Sequence, residues 1–180
     1  MKLLTVGHGT ASASEFATLI ADARIELLVD VRSVPKSRRH PQFWSHEMAA
    51  WLPQGAGAAY EWREALGGFR KARPDSENVA WRHPAFRGYA DYMESAQFQE
   101  ALDGLLRDAA RQQTVVMCSE SLWWRCHRRL ISDAAVLLHG VAVEHLFHNG
   151  KLVTHAPTSS ARILDSNHLQ YDIIEDDDRS

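Results

Sequence analysis

Cysteine is scarce: only Cys118 and Cys126 occur in 180 residues. Two thiols cannot build the multi-bridge scaffold of a small secreted domain, and in a reducing compartment they stay free unless chemistry or a metal engages them. Long apolar runs are also missing. No stretch approaches the roughly 18 to 20 uninterrupted apolar residues of a membrane span. The opening Met1-Lys2-Leu3-Leu4-Thr5-Val6-Gly7 reads as the start of a buried strand instead of a secretory leader. A cytoplasmic protein that does not enter a membrane is therefore expected. Internal repeats, low-complexity tracts and an evident linker are absent as well, which leaves a single domain as the default.

One segment lacks acidic residues altogether. Residues 31–46 carry Arg32, Lys36, Arg38 and Arg39 with no Asp or Glu, although the chain as a whole has a net charge of −3. The chain closes on the opposite sign with Glu175-Asp176-Asp177-Asp178. Such a block is expected to stay solvated and mobile, the alternative being a tail that covers the basic segment and competes with an anionic ligand. Hydrophobic residues make up 45% of the sequence, enough for one core of ordinary size. We expect one α/β domain over residues 1–155 and a C-terminal extension over 156–180.

The order of elements is informative. Residues 3–6 are a short apolar run ending in Gly7-His8-Gly9. Ser12 and Glu15 then form a capping-box signature ahead of a helix with Phe16, Leu19, Ile20 and Ala23 on one face. Residues 25–31 read as a strand buried on both sides. Residues 53–59 and 73–78 read as loops, and residues 86–93 and 96–111 have helical spacing. Residues 114–117 form a third strand ended by Cys118, and residues 126–139 a helix stopped by Gly140. A fourth strand, 142–147, turns at Asn149-Gly150 into residues 151–154, a strong hairpin signal. This alternation predicts an α/β fold: a mostly parallel sheet with helices on both faces, three layers, and a C-terminal β-hairpin. Ligands in open α/β sheets bind beyond the carboxyl ends of the strands. Three such ends carry unusual residues, Gly7-His8-Gly9-Thr10, Asp30-Val31-Arg32-Ser33 and Cys118-Ser119-Glu120, and are expected to meet in one cleft.

The loop from Cys118 to Arg129 holds two thiols, the carboxylate of Glu120, the imidazole of His127 and the guanidinium groups of Arg125, Arg128 and Arg129. Cys126 and His127 sit where a helix begins, so free N–H groups and the positive end of the dipole favour a thiolate and attract an anion. Cys126 should accordingly be the more reactive thiol, with a pKa below the usual value of about 8.5. Cys118 resembles the nucleophile of a cysteine phosphatase or rhodanese in following a strand. In the phosphatase register, however, the sixth position after it is Trp124, with Arg125 one place late, and a small buried thiol at a strand end is the plainer account. Zinc held by Cys118, Cys126, His127 and His8 is a second chemistry. The seven residues between the cysteines exceed the two to four of a zinc knuckle, and Cys-x-x-Cys redox spacing is absent. Asp30, Arg32, Ser33, Arg38 and Arg39 make a second constellation, since arginine grips phosphate or carboxylate through its planar fork. The plainer accounts are a structural Asp30–Arg32 ion pair, solvated Arg38 and Arg39, and a turn histidine at His8. Tyr60, Trp62, Trp81, Phe86 and Tyr89 suit stacking on a base or a covering flap.

Several phrases together closely resemble one family. They are Val6-Gly7-His8, Leu28-Val29-Asp30-Val31-Arg32-Ser33-x-Pro35-x-Ser37-Arg38, Pro41-Gln42-Phe43, Leu66-Gly67-Gly68, the run from Phe86 through Arg87-Gly88-Tyr89 to Met93, Cys118-x-Glu120 and Cys126-His127-Arg128-x-Leu130-Ile131. Their order over nearly the whole chain to His155 resembles the domain of unknown function 488 family. Gly9 stands where that family usually has serine, and Trp123-Trp124-Arg125 replaces a more usual proline-containing stretch. The resemblance implies a compact α/β domain with a site built from His8, Asp30, Arg32, Cys118, Glu120, Cys126, His127 and Arg128, and names no reaction.

Three functional readings follow. The first is an enzyme, a hydrolase or transferase, acting on a phosphate-bearing small molecule or nucleotide. Cys118, Glu120, His127 and Asp30 are its catalytic candidates, and His8, Arg32, Ser33, Arg38, Arg125, Cys126 and Arg128 its anion-binding candidates. The second is a nucleic-acid-binding module using the basic 32–39 loop. The third is a metal- or redox-sensing protein built on Cys118 and Cys126. No cofactor motif is present, and no cofactor is expected.

Overall fold

The computed structural model describes residues 1–165 and 168–172; the acidic block at 175–178 lies outside the described residues. The elements are β1 (Lys2–Gly7), α1 (Ala13–Asp22), β2 (Leu27–Asp30), α2 (Ser45–Ala56), β3 (Ala59–Trp62), α3 (Pro84–Met93), α4 (Ala96–Arg111), β4 (Thr114–Cys118), α5 (Arg128–Leu137), β5 (Ala142–Leu146), β6 (Leu152–Thr154), β7 (Ala161–Asp165) and β8 (His168–Tyr171). Six strands form one sheet in the order β3-β2-β4-β1-β5-β6, parallel except for β6, and β7 pairs with β8 in a separate antiparallel hairpin.

Local sequence accounts for most of this. β2 and β4 are buried at every residue, as parallel strands covered on both faces must be. At the start of α1 the Glu15 amide donates to Ser12 Oγ at 3.2 Å, while the Ser12 amide donates to the Glu15 carboxylate at 2.8 Å. Phe16, Leu19 and Ile20 of α1 with Met48 and Leu52 of α2 cover one sheet face, against Leu4, Val6, Leu28 and Met117. Tyr89, Phe98, Leu102, Leu105, Leu130 and Ile131 from α3, α4 and α5 cover the other, against Leu3, Val29, Val116 and Val143. The result is the three-layer α/β fold, with Gly150 at φ 79° in the turn between β5 and β6.

Residues 53–59, expected to be a loop, instead hold the end of α2 and the first residue of β3. Pro53 sits in the last turn of α2, and Gly57 closes the helix at φ 71°, its amide donating to the Pro53 carbonyl at 3.1 Å. Burial of Met48 and Leu52 against α1 outweighs the lost proline hydrogen bond. Beyond residue 155 the chain is fastened to the body through Tyr171. This buried residue donates its hydroxyl to Asp133 at 3.0 Å and its amide to Asn78 Oδ1 at 3.0 Å. Among the described residues no helix is long and apolar enough to cross a membrane.

Candidate functional site

β1 and β2 lead into α1 and α2 on one face of the sheet, whereas β4, which lies between them, leads into α5 on the other. Chain exits to opposite sides open a crevice at the carboxyl edge. There a cleft of about 590 Å³ is lined by His8, Arg32, Cys118, Glu120, Cys126 and His127, among others, so residues from all three strand ends share it.

Backbone approach shapes one wall. The His8 amide donates to the Cys118 carbonyl at 2.9 Å and the Gly9 amide to Ser119 at 3.0 Å. A methyl group on Gly7 would lie 1.9 Å from the Glu120 carbonyl oxygen, which leaves room for glycine alone. On the opposite wall Ser33 Oγ donates to the Gly68 carbonyl at 2.7 Å and Tyr89 donates to the Leu66 carbonyl at 2.7 Å. These bonds hold Gly67-Gly68 beside the His127 ring.

The floor is a thiol–imidazole cluster. Cys118 Sγ, Cys126 Sγ and a His127 ring nitrogen all lie within 4.8 Å of one another. His127 Nε2 donates to the Val31 carbonyl at 3.0 Å, turning Nδ1 toward the sulfurs at 3.7 Å from Cys126 and 4.0 Å from Cys118. As neutral imidazole Nδ1 accepts a thiol proton; as imidazolium it donates to a thiolate. Arg128, only 1% exposed, donates through Nε to Cys126 Sγ at 3.4 Å and through Nη2 to the Glu120 carbonyl. Burial pushes the Cys126 thiol up, but the Cys118 hydrogen bond and the positive charges of Arg128 and His127 override it and hold Cys126 well below the ordinary thiol range. Cys118 moves the other way, raised by its hydrogen bond to Cys126 and then by burial. Both directions favour Cys126 over Cys118 as the thiol that ionises first.

Asp30 and Arg32 form a buried, bidentate ion pair, with Arg32 Nε 2.9 Å from Oδ1 and Nη2 2.5 Å from Oδ2. Asp30 also accepts from Tyr60 at 2.7 Å, and Arg32 Nη2 donates to the Phe43 carbonyl at 2.6 Å. His8 donates from Nδ1 to the Gly9 carbonyl at 2.9 Å, so Nε2 is the acceptor facing Arg32 Nη1 at 3.3 Å. Burial and the neighbouring Arg32 charge lower its pKa to about 4, which makes His8 a neutral acceptor at pH 7. Arg125 and Glu120 are exposed and line the cleft, whereas Arg38 is exposed and lies outside it. With Arg32 buried, the cations that residues 31–46 offer to solvent are Lys36, Arg38 and Arg39.

Residues 12–135 match the family described as Domain of unknown function DUF488. The chain belongs to that family. No curated protein and no solved structure matches it. In this DUF488 member the matched segment contains the Asp30–Arg32 pair and the whole thiol cluster, while His8 precedes it and β5 to β8 follow it. Three participants in the site are not evident from sequence. Tyr60, which suits stacking by its residue type, instead bonds Asp30. Val34 and Phe69 line the cleft without any motif that marks them, and the only signal near Phe69 is the preceding Gly67-Gly68.

Proposed function

We propose that this DUF488 protein is a cytoplasmic enzyme that binds a phosphate-bearing small molecule or nucleotide in the cleft, with Cys126 as nucleophile. One observation carries the reading: Cys126 is among the residues lining the cleft, and its buried sulfur is held between Arg128 Nε at 3.4 Å and His127 Nδ1 at 3.7 Å. A cysteine thiolate is the reactive form, and adjacent cations stabilise it. His127 and the exposed Glu120, both lining the cleft, are its acid–base candidates. Arg125 and the uncapped start of α5 supply positive potential for the substrate anion. Arg32 holds the floor through Asp30 and offers the cleft a charge that is already matched. Two unbridged thiols fit a reducing compartment.

The test is protection. Iodoacetamide labelling of Cys126, followed by peptide mass spectrometry, should slow in a saturable way as inorganic phosphate or adenosine monophosphate is added. Labelling that ignores both anions overturns the reading.

The metal reading is favoured by one specific feature, the His127 Nε2 bond to Val31. It aims Nδ1 at two sulfurs, as the carbonyl bonds behind zinc-binding histidines do. Cys118, Cys126 and His127 would hold the ion and leave its fourth position toward the cleft. Elemental analysis of purified protein decides this: stoichiometric zinc or iron, together with thiols that become alkylated only after chelation, replaces the nucleophile reading with the metal one.

A further inference from the structure

Phe69 lines the cleft and is 85% exposed, with its backbone at φ 55°. The left-handed region is unfavourable for any residue with a bulky side chain, and outliers of this kind collect at binding sites. Its neighbour keeps it there. Arg70 donates from Nε to the Gly67 carbonyl at 3.2 Å and from Nη2 to the Glu64 carbonyl at 3.4 Å, and its guanidinium lies 3.7 Å from the centre of the Tyr92 ring. These contacts tie the chain back on both sides of Phe69 and leave the phenyl ring in solvent instead of in the core.

Two further exposed apolar side chains line the same cleft, Val34 at 67% from the loop after β2 and Trp124 at 43% from the loop after β4. Phe86, stacked on Trp81 with ring centres 5.0 Å apart, adds a flat aromatic wall. Four separate segments thus surround a polar, thiol-bearing floor with apolar surface. Exposed apolar groups gathered in one concavity mark a binding surface, and a cleft of about 590 Å³ has the size of a small-molecule site.

We propose that Phe69, Val34, Trp124 and Phe86 form a subsite for a flat apolar group, so that the ligand is an anion carrying an aromatic or heterocyclic ring, such as an aryl phosphate or a nucleotide. This rests on the anion reading for the inner part of the ligand and adds the chemistry of its outer part. The ring lies against Phe69 and Trp124 while the anionic end points toward Cys126 and Arg125.

The subsite is tested on the intact protein with two alkylating reagents that share one reactive group, iodoacetamide and N-benzyliodoacetamide. The ratio of their rates at Cys126 is compared with the same ratio for glutathione. A preference for the benzyl reagent of about tenfold over glutathione is expected, and Phe69→Gly should cut that ratio at least fivefold. Glycine suits φ 55°, so this variant should melt no lower than the wild type. Should it melt lower, Trp124→Ala supplies the same readout. A ratio equal to that of glutathione, or one unchanged in both variants, overturns the subsite. Inorganic phosphate provides the independent arm. Phosphate protection without ring preference overturns the subsite and leaves the anion reading standing. Ring preference without phosphate protection supports the apolar subsite but overturns the anion reading, and with it the anionic end assigned to the ligand.

Discussion

Arg128 Nε points at the Cys126 sulfur from 3.4 Å, and the same guanidinium reaches the Glu120 carbonyl. One buried cation therefore ties the candidate nucleophile to the loop that begins at Cys118. A charge-assisted bond of this kind stabilises the thiolate over the thiol, and His127 Nδ1 at 3.7 Å adds to it.

The first prediction concerns the pH profile of the two thiols. Cys126 should remain alkylatable well below pH 8.5, the ordinary cysteine value being about 8.5, while Cys118 labels more slowly throughout because its thiol is raised. Arg128→Gln removes the charge and should move the Cys126 profile to higher pH. Where the thiol form predominates, the rate at a fixed pH then falls about tenfold for every pH unit the profile rises. Labelling of Cys118 ahead of Cys126, or a profile that Arg128→Gln leaves in place, would assign the negative charge wrongly.

The Asp30–Arg32 pair supports a second prediction. Asp30 accepts from Arg32 Nε, Arg32 Nη2, the Arg32 amide at 3.0 Å and Tyr60, all inside the protein. Removing the acid strands a buried guanidinium, and breaking such a pair typically costs about 3–5 kcal/mol. Asp30→Ala should lower stability by that order in urea unfolding, whereas the double change Asp30→Leu with Arg32→Met should recover much of it. A single-mutant loss below about 1 kcal/mol, the scale of an exposed ion pair, would show that water reaches the pair.

How much of the fold and site is legible in the sequence depends on the range of the interactions. The three strand ends are legible because β1, β2 and β4 are short apolar runs whose parallel pairing sends every carboxyl end to one edge. The Ser12–Glu15 cap and the Asn149-Gly150 turn are local, and the structure has both. α2 is hidden because Pro53 lies within it and Gly55 and Gly57 surround its end, signals that ordinarily mark a loop. β3 is an exposed edge strand with Tyr60 alone half-buried, so it lacks the alternation that would reveal it. Tyr60 meeting Asp30 and His145 meeting Thr5 are contacts across 30 and 140 residues, set by strand pairing that periodicity does not encode.

The last prediction comes from a buried chain of histidines behind the site. Asp133 accepts from His155 Nε2 at 2.9 Å, from the Thr158 amide and hydroxyl at 2.9 and 2.7 Å, and from Tyr171 at 3.0 Å. With its proton on Nε2, His155 accepts through Nδ1 from His145 Nε2 at 3.0 Å, and the Thr5 hydroxyl donates into His145 Nδ1 at 2.7 Å. Every site is filled by neutral His145, which also lies flat on Trp123 with ring centres 4.0 Å apart. Burial, then His155, then Arg128 lower its pKa from the ordinary 6.5 to about 3. The folded state thus refuses a proton that the unfolded state takes up below pH 6.5. Stability should be constant with respect to this group above pH 6.5 and fall as the pH drops toward 3, at about 1.4 kcal/mol per pH unit for one proton. His8, lowered to about 4, adds a second proton over the upper part of that window. Urea midpoints between pH 7 and 4.5 should therefore decline with a slope approaching two protons. His145→Gln lowers stability at pH 7 through the lost stacking and bonding, yet should flatten the slope by about one proton. An acid slope that His145→Gln leaves unchanged would mean that His145 takes up its proton as readily in the fold as in the unfolded chain, contrary to the donor order from Thr5 to Asp133.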